Sequence, residues 1–187
     1  MREVVFFLEE LSARAMLEGL LPKIIPDSVR CRFIVFEGKQ DLEKQIVKRI
    51  RGYRVPGARF VILRDKDSDD CRRVKARLVE KCVEARKPEV LVRVACHELE
   101  SWYLGDLAAV EVGLGVSGLA RQQNKAPYDN PDGVAAPAQK LRSIAPVYQK
   151  VGGSRAIGPH LNPASNQSHS FGVFVAGVLK IIGQSSE

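Results

Sequence analysis

The chain is poor in the residues that build structural metal sites. Its four cysteines, Cys31, Cys71, Cys82 and Cys96, never form a CxxC pair, and only three histidines occur, His97, His160 and His169. A zinc site is therefore not expected, and the thiols read as reduced and mostly buried in a reducing compartment. Long apolar runs are missing too: none approaches the ~18 residues that cross a bilayer, and the VVFFL run at 4–8 is followed at once by acids. The start also lacks the pattern of a secretory leader. A soluble, cytoplasmic protein without membrane association is expected. The glycine-rich stretches GVSG and VGGS lack the lysine of a phosphate-binding P-loop, so ATP hydrolysis, where it is involved, belongs to a partner.

What is present suits one folded domain. The 187 residues are 45% hydrophobic with a mean hydropathy of -0.13, enough to bury a core and too apolar for a disordered chain. The formal net charge is +7. Such a surplus is compatible with a polyanionic partner, because lysine and arginine neutralise phosphates and release counterions. Against that basic background an acidic cluster stands out.

The pattern of elements places this cluster. Residues 3–9 are an apolar run ending in acids, as in a strand buried on both faces. Ser12 is expected to cap a helix over 13–21, with Ala13, Met16, Leu17, Leu20 and Leu21 at helical spacing. A strand over 31–36, a helix over 41–51 opened by Asp41, and a strand over 59–64 follow. A helix over 70–85 carries Val74, Leu78 and Cys82 at i, i+4 and i+8, and a fourth strand spans 89–95. Four strands alternating with helices predict a parallel, helix-covered α/β sheet. After residue 105 the chain reads as a mainly helical extension over 106–187 packed on the 1–105 core. One or two short helices are expected in 97–115, a loop over 121–135, and helices over 137–145 and 168–182.

With right-handed crossovers the simplest strand order is 2-1-3-4, which puts the topological switch point between strands 1 and 3. Ligands of open parallel sheets bind there, at the carboxyl ends of the strands. Glu9 and Glu10 end strand 1, and Asp65 and Asp67 end strand 3; in an extended segment the last two would point the same way. Carboxylates converging on one crevice repel one another unless a cation lies between them, and oxygen ligands suit Mg²⁺ or Mn²⁺. Glu98 and Glu100, just beyond strand 4, are candidates for a second metal or a base. Asp69 and Asp70 read first as caps of the next helix, with Asp70 also a candidate ligand.

The stretches FLEELSARAMLEGLLPKIIP, IVFEGKQDLEKQI, RDKDSDDCRRVKARL, HELESWYLGDLAAVE, YQKVGGSRAIGPHL and SHSFGVFVAGV together resemble an uncharacterised Toprim-like family. That family is related to the Toprim domain of overcoming-lysogenisation-defect nucleases, and its members are often encoded beside AAA/ABC-type ATPases. FEGKQD itself resembles a Toprim glutamate signature, so Glu37 competes with Glu9. The fold needs strand, helix and strand between the glutamate and the DxD pair, and only the interval from 9 to 65 provides them. The resemblance implies that Glu9, Asp65 and Asp67 hold metal, with Glu98 and Glu100 matching a further acidic pair and Glu10 standing where many Toprim proteins have glycine. It implies metal-assisted phosphodiester hydrolysis of DNA or RNA, with an ATPase partner in a phage-defence or mobile locus, and it is compatible with a homo-oligomer. Lys150 and Arg155 are the candidates for a cation that steadies transition-state charge; the alternative for both is a solvated basic loop.

Two other readings stay open. A non-catalytic Toprim-like partner would carry the same acids. A receiver-type phosphoacceptor domain also places acids after strand 1 and an aspartate after strand 3, but it needs a threonine after strand 4 and a lysine after a fifth strand, where this chain has CHELE and no evident fifth strand. Trp102 and Tyr103 are expected to pack the exit of strand 4, His97 to play a structural role, and the Ser168–Ser170 stretch to cap the last helix.

Overall fold

A computed structural model describes residues 2–183. It contains strands β1 (Arg2–Leu8), β2 (Val29–Val35), β3 (Arg59–Asp65) and β4 (Leu91–Ala95). Helix α1 (Leu11–Leu20) follows β1, α2 (Lys39–Gly52) follows β2, and α3 (Cys71–Glu84) follows β3. After β4 come α4 (Glu100–Leu104), α5 (Leu107–Leu114), α6 (Pro137–Ile144), α7 (Lys150–Ile157) and α8 (His169–Gly183). All pairings are parallel, in the order β2-β1-β3-β4. The sheet topology read from the sequence is therefore the one observed, with the switch point between β1 and β3.

Side-chain alternation sorts the core into two layers. Val4, Phe6 and Leu8 of β1, with Val61 and Leu63 of β3, face α1 and the helices after β4. Val5 and Phe7, with Phe60 and Ile62, face α2 and α3 through Leu42, Ile46, Ile50, Val74 and Leu78. The first layer is the larger and takes in Trp102, Leu107, Ile157, Phe171 and Phe174. Trp102 lies against Phe171 and Phe174 at centroid distances of 5.3 and 5.0 Å, and its indole N–H donates to Ser170 Oγ at 2.8 Å. This is the packing role expected of it.

Three local readings are corrected. Ser12 does not cap α1: Glu10 holds the cap position, and the Ser12 hydroxyl donates to Glu10 Oε1 at 2.6 Å. Helix α2 begins at Lys39, two residues before Asp41, which lies within its first turn, where its Oδ2 accepts from the Glu37 amide at 3.1 Å. The YQKVGGSR stretch, weighed as a basic loop, runs into α7. Gly153 would ordinarily weaken a helix, but here an added Cβ would fall 2.3 Å from the Tyr148 ring, so its lack of a side chain makes room for that ring. Of the four thiols only Cys82 is buried, and Cys31, Cys71 and Cys96 keep partial exposure.

Glycines also set the spacing of α1 against α7. A Cβ on Gly158 would lie 2.4 Å from the Met16 carbonyl oxygen, one on Gly19 would lie 2.5 Å from Pro159, and one on Gly113 would lie 2.6 Å from the Ala156 carbonyl oxygen. Backbone meets backbone at these points.

Candidate metal centre

Strand register builds the site. Leu8 pairs with Leu63, so the chain leaving β1 runs beside the last residues of β3, and the Asp65 amide donates to Glu9 Oε2 at 3.2 Å. Asp65 pairs in turn with Ala95 at the end of β4. The loops beyond are tied together: the Lys66 amide donates to the Ala95 carbonyl at 3.0 Å and the Asp67 amide to the His97 carbonyl at 2.7 Å. Asp67 and His97 both take left-handed backbone conformations, with φ of 55° and 59°, which aspartate and histidine tolerate better than most residues. The turn at Asp67 changes one expectation. The segment is not extended, so Asp65 and Asp67 do not share a direction.

Alternation along β3 then splits the charges. Arg64, 2% exposed, faces α2 and α3, where it pairs with Glu43 and stands 3.7 Å from both Glu9 Oε2 and Asp69 Oδ2. Asp65 faces the other way, toward Glu100, Glu10 and Lys150. Asp65 keeps some accessible surface, yet protein atoms crowd its carboxyl group, and this burial, followed by the charges of Glu9, Glu100 and Glu10, pushes its pKa well above the ordinary carboxylate range. Burial also raises Glu9, with Asp67 and Glu10 adding to the effect. Glu100 is 1% exposed and raised by burial; Tyr148 donates its phenol to Oε1 at 2.8 Å, while Oε2 has no hydrogen-bond partner.

Lys150 opens α7 and pairs with Glu10 at 2.7 Å. Burial works against its charge, but the Glu10 hydrogen bond, then Glu10, Glu100 and Asp65 as charges, raise its pKa overall. It stays an ammonium facing the acids. Arg155, its rival, is exposed on the same helix. Asp67 is met by Lys39 at 2.8 Å, and that pairing holds the Lys39 pKa up.

The remaining sequence candidates lie outside this group. Glu98 Oε2 accepts from the Ala138 amide at 2.9 Å, at the start of α6, and so serves that helix end. Asp70 caps α3, accepting from the Arg72 and Arg73 amides at 2.9 and 3.0 Å, and the Arg73 bond chiefly holds its pKa down. Glu37 is exposed beyond β2. Ser168 Oγ accepts from the Phe171 amide at 3.2 Å and donates to Asp132 at 2.6 Å, the capping role expected for that stretch. Replacing Asp70 by Ala is expected to lower the melting temperature by a few degrees through loss of the cap, while leaving any thermal upshift caused by Mn²⁺ unchanged in the same scan. Loss of that upshift would place Asp70 among the ligands instead.

Three participants were missed in the sequence: Arg64, Lys39 and Tyr148. The signal for Arg64 was legible, since an arginine inside a strand buried on both faces must find carboxylates. Lys39 and Tyr148 gave none beyond their nearness to the FEGKQD and YQK motifs.

The donor set is all oxygen and carries more buried negative charge than its cations neutralise, which fits a hard divalent cation. The unpartnered Glu100 Oε2 points to the same chemistry. As placed, no three His, Cys, Asp or Glu side chains among the described residues stand close enough to enclose an ion. No helix among them is long and apolar enough to cross a membrane, and among the described residues the sheet has four strands, one fewer than the receiver arrangement requires.

The profile of a domain of unknown function, DUF4276, matches residues 8–179. The chain belongs to that family. Among curated proteins nothing matches. Among solved structures, the C-terminal region of the Burkholderia pseudomallei OLD protein is similar, with a TM-score of 0.55 and 15% identity over 96% of each chain. The family member described here thus has a Toprim-like fold, with the strand order 2-1-3-4.

Proposed function

We propose that the protein is a Mg²⁺- or Mn²⁺-dependent nuclease subunit that hydrolyses phosphodiester bonds of DNA or RNA. In this reading it is the effector of a system whose ATPase is a separate chain, in phage defence or a mobile element. The observation that carries the proposal is the grouping of Glu9, Asp65 and Glu100 at the β1/β3 switch point. All three carboxyls have raised pKa values, and one ammonium, Lys150, faces Asp65 and Glu100. The Toprim-like fold and the likeness to the OLD region support it.

Glu9, Asp65 and Glu100 would hold the cation, with Asp67 as an outer acid. A divalent cation there supplies Lewis acidity toward a phosphoryl oxygen. The rest falls to the chain's own groups. Lys150, kept protonated by Glu10, meets negative charge developing on the phosphate, the kind of preorganised contact that stabilises a transition state. Tyr148 fixes one oxygen of Glu100 and leaves the other free.

The test is cleavage of labelled DNA and RNA with Mn²⁺ or Mg²⁺, with and without a co-encoded ATPase. Lys150→Ala is expected to lower the cleavage rate by roughly 10²–10³-fold and also to lower the melting temperature in chelator, because Glu10 and Asp65 lose their opposing charge. A rate within a few-fold of wild type would remove Lys150 from the chemistry. One observation favours the non-catalytic partner reading: the acids do not yet enclose an ion. Cleavage absent under every condition, with the ATPase present, would decide for it.

A further inference from the structure

At the opposite end of the sheet from the acids, the turns that lead into β3 and β4 carry a concentration of cations. Three adjoining clefts meet at Tyr53, bounded by the end of α2, the 53–58 turn, the edge of β2 and the loop after α3. Arg32, Lys48, Arg49, Arg54, Arg59 and Arg86 line them. None of the six makes an ion pair among the described residues. The nearby acids are committed elsewhere. Glu84 stands 3.7 Å from Arg51 and Glu89 3.5 Å from Lys87, and buried Glu3 accepts from the Tyr53 hydroxyl at 2.6 Å. Arg32 lies over the Tyr53 ring, its guanidinium carbon 5.8 Å from the centroid.

Unpaired like charges held together on one face repel and cost stability, so such a surface fits an anion of matching extent. A single small anion would meet one or two of these cations, whereas a run of phosphates meets them all and gains from counterion release at each. A half-exposed aromatic ring amid arginines also fits a base or sugar beside the backbone.

We propose that this face is a second nucleic-acid contact, a phosphate-backbone track separate from the acidic centre and about 20 Å from it along the strands. It rests on the reading of the substrate as a nucleic acid, but not on cleavage. A strand engaged here would be held by the protein independently of the cation at the acids, so binding persists when the metal is removed.

The experiment uses the full chain in excess chelator, where no metal-dependent cutting occurs, and fluorescence anisotropy with labelled DNA and RNA oligonucleotides of about 30 residues over a salt series. Reversing Arg54→Glu, Arg59→Glu and Arg86→Glu together is expected to weaken binding at least tenfold at 0.1 M salt. The same variant should lower the slope of log affinity against log salt by about 2–3, one step per lost phosphate contact. A control with the same change of net charge on exposed positions elsewhere, Arg121→Glu, Lys125→Glu and Lys180→Glu, should stay within about threefold of wild type. Equal losses in the two triple variants would overturn the proposal, since the effect would then be one of overall charge. Unchanged affinity and slope in the first variant would also overturn it and leave the face to an acidic protein surface. A protein that binds here yet never cuts would refute the nuclease reading alone.

Discussion

Replacing Asp65 by Asn should abolish metal-dependent cleavage and, in the same protein, raise the melting temperature of the metal-free form. Both effects come from one cause. The Asp65 carboxylate is crowded by protein and faces Glu9, Glu100 and Glu10, with Lys150 as the opposing cation. Holding it ionised at neutral pH costs folding energy, and a cation would offset that cost. Asparagine keeps the size and removes the charge. A gain of about 1–2 kcal/mol corresponds to roughly 2–8 °C for a chain of this length, and differential scanning calorimetry in chelator reads it. The sign of the pH dependence follows from the raised values of Glu9, Asp65 and Glu100. A raised carboxyl contributes stability that is complete at low pH and is lost as pH rises through its folded value. The metal-free wild type should therefore lose stability as the pH climbs above the ordinary carboxylate range, and the loss should be smaller in Asp65→Asn. Mn²⁺ should restore the wild type and leave the variant unmoved. An Asp65→Asn protein that cuts normally, or that melts lower than wild type in chelator, would refute the account of this site as charge held in reserve for a cation.

The second large effect is expected at Arg64. Its guanidinium is buried and serves Glu43, Glu9 and Asp69 together. Arg64→Ala leaves the Glu9 and Glu43 carboxylates without their buried cation and opens a cavity between β3 and α2. Breaking a buried pair in this way costs about 3–5 kcal/mol, measurable as a lower urea midpoint at neutral pH with the slope unchanged. Arg64→Met keeps much of the stem packing and should recover part of the loss. A cost below about 1 kcal/mol would mean that water already screens these acids.

The strand order, the nearness of Glu9 rather than Glu37 to the end of β3 and the capping by Asp70 could all be reached from periodicity, crossover handedness and spacing. Those features are local or topological, and a single sequence carries them well. The helix over 150–157 was harder, because Gly152 and Gly153 argue against a helix until the Tyr148 ring is known to occupy the space. The divergence of Asp65 and Asp67 depends on one left-handed residue, and aspartate adopts that conformation without announcing it. Arg64 was visible as an anomaly, but which acids answer it depends on α2 packing from a distant part of the chain. Glu98 shows the reverse case: its position in sequence suggests a place beside the acids, while its bond to the start of α6 comes from a residue forty positions away.

The glycine contacts between α1, α5 and the end of α7 have a consequence for anyone who would transplant this centre. Glu10 begins the chain's turn into α1, and Lys150 is the first residue of α7, so their separation is fixed by two backbones in touch and not by adjustable side chains. Grafting the acidic strands alone onto another scaffold would carry the negative charges and leave behind the ammonium that faces Asp65 and Glu100. A portable version must include the helix from the far end of the sequence, together with the bare glycine surfaces that let it lie so close.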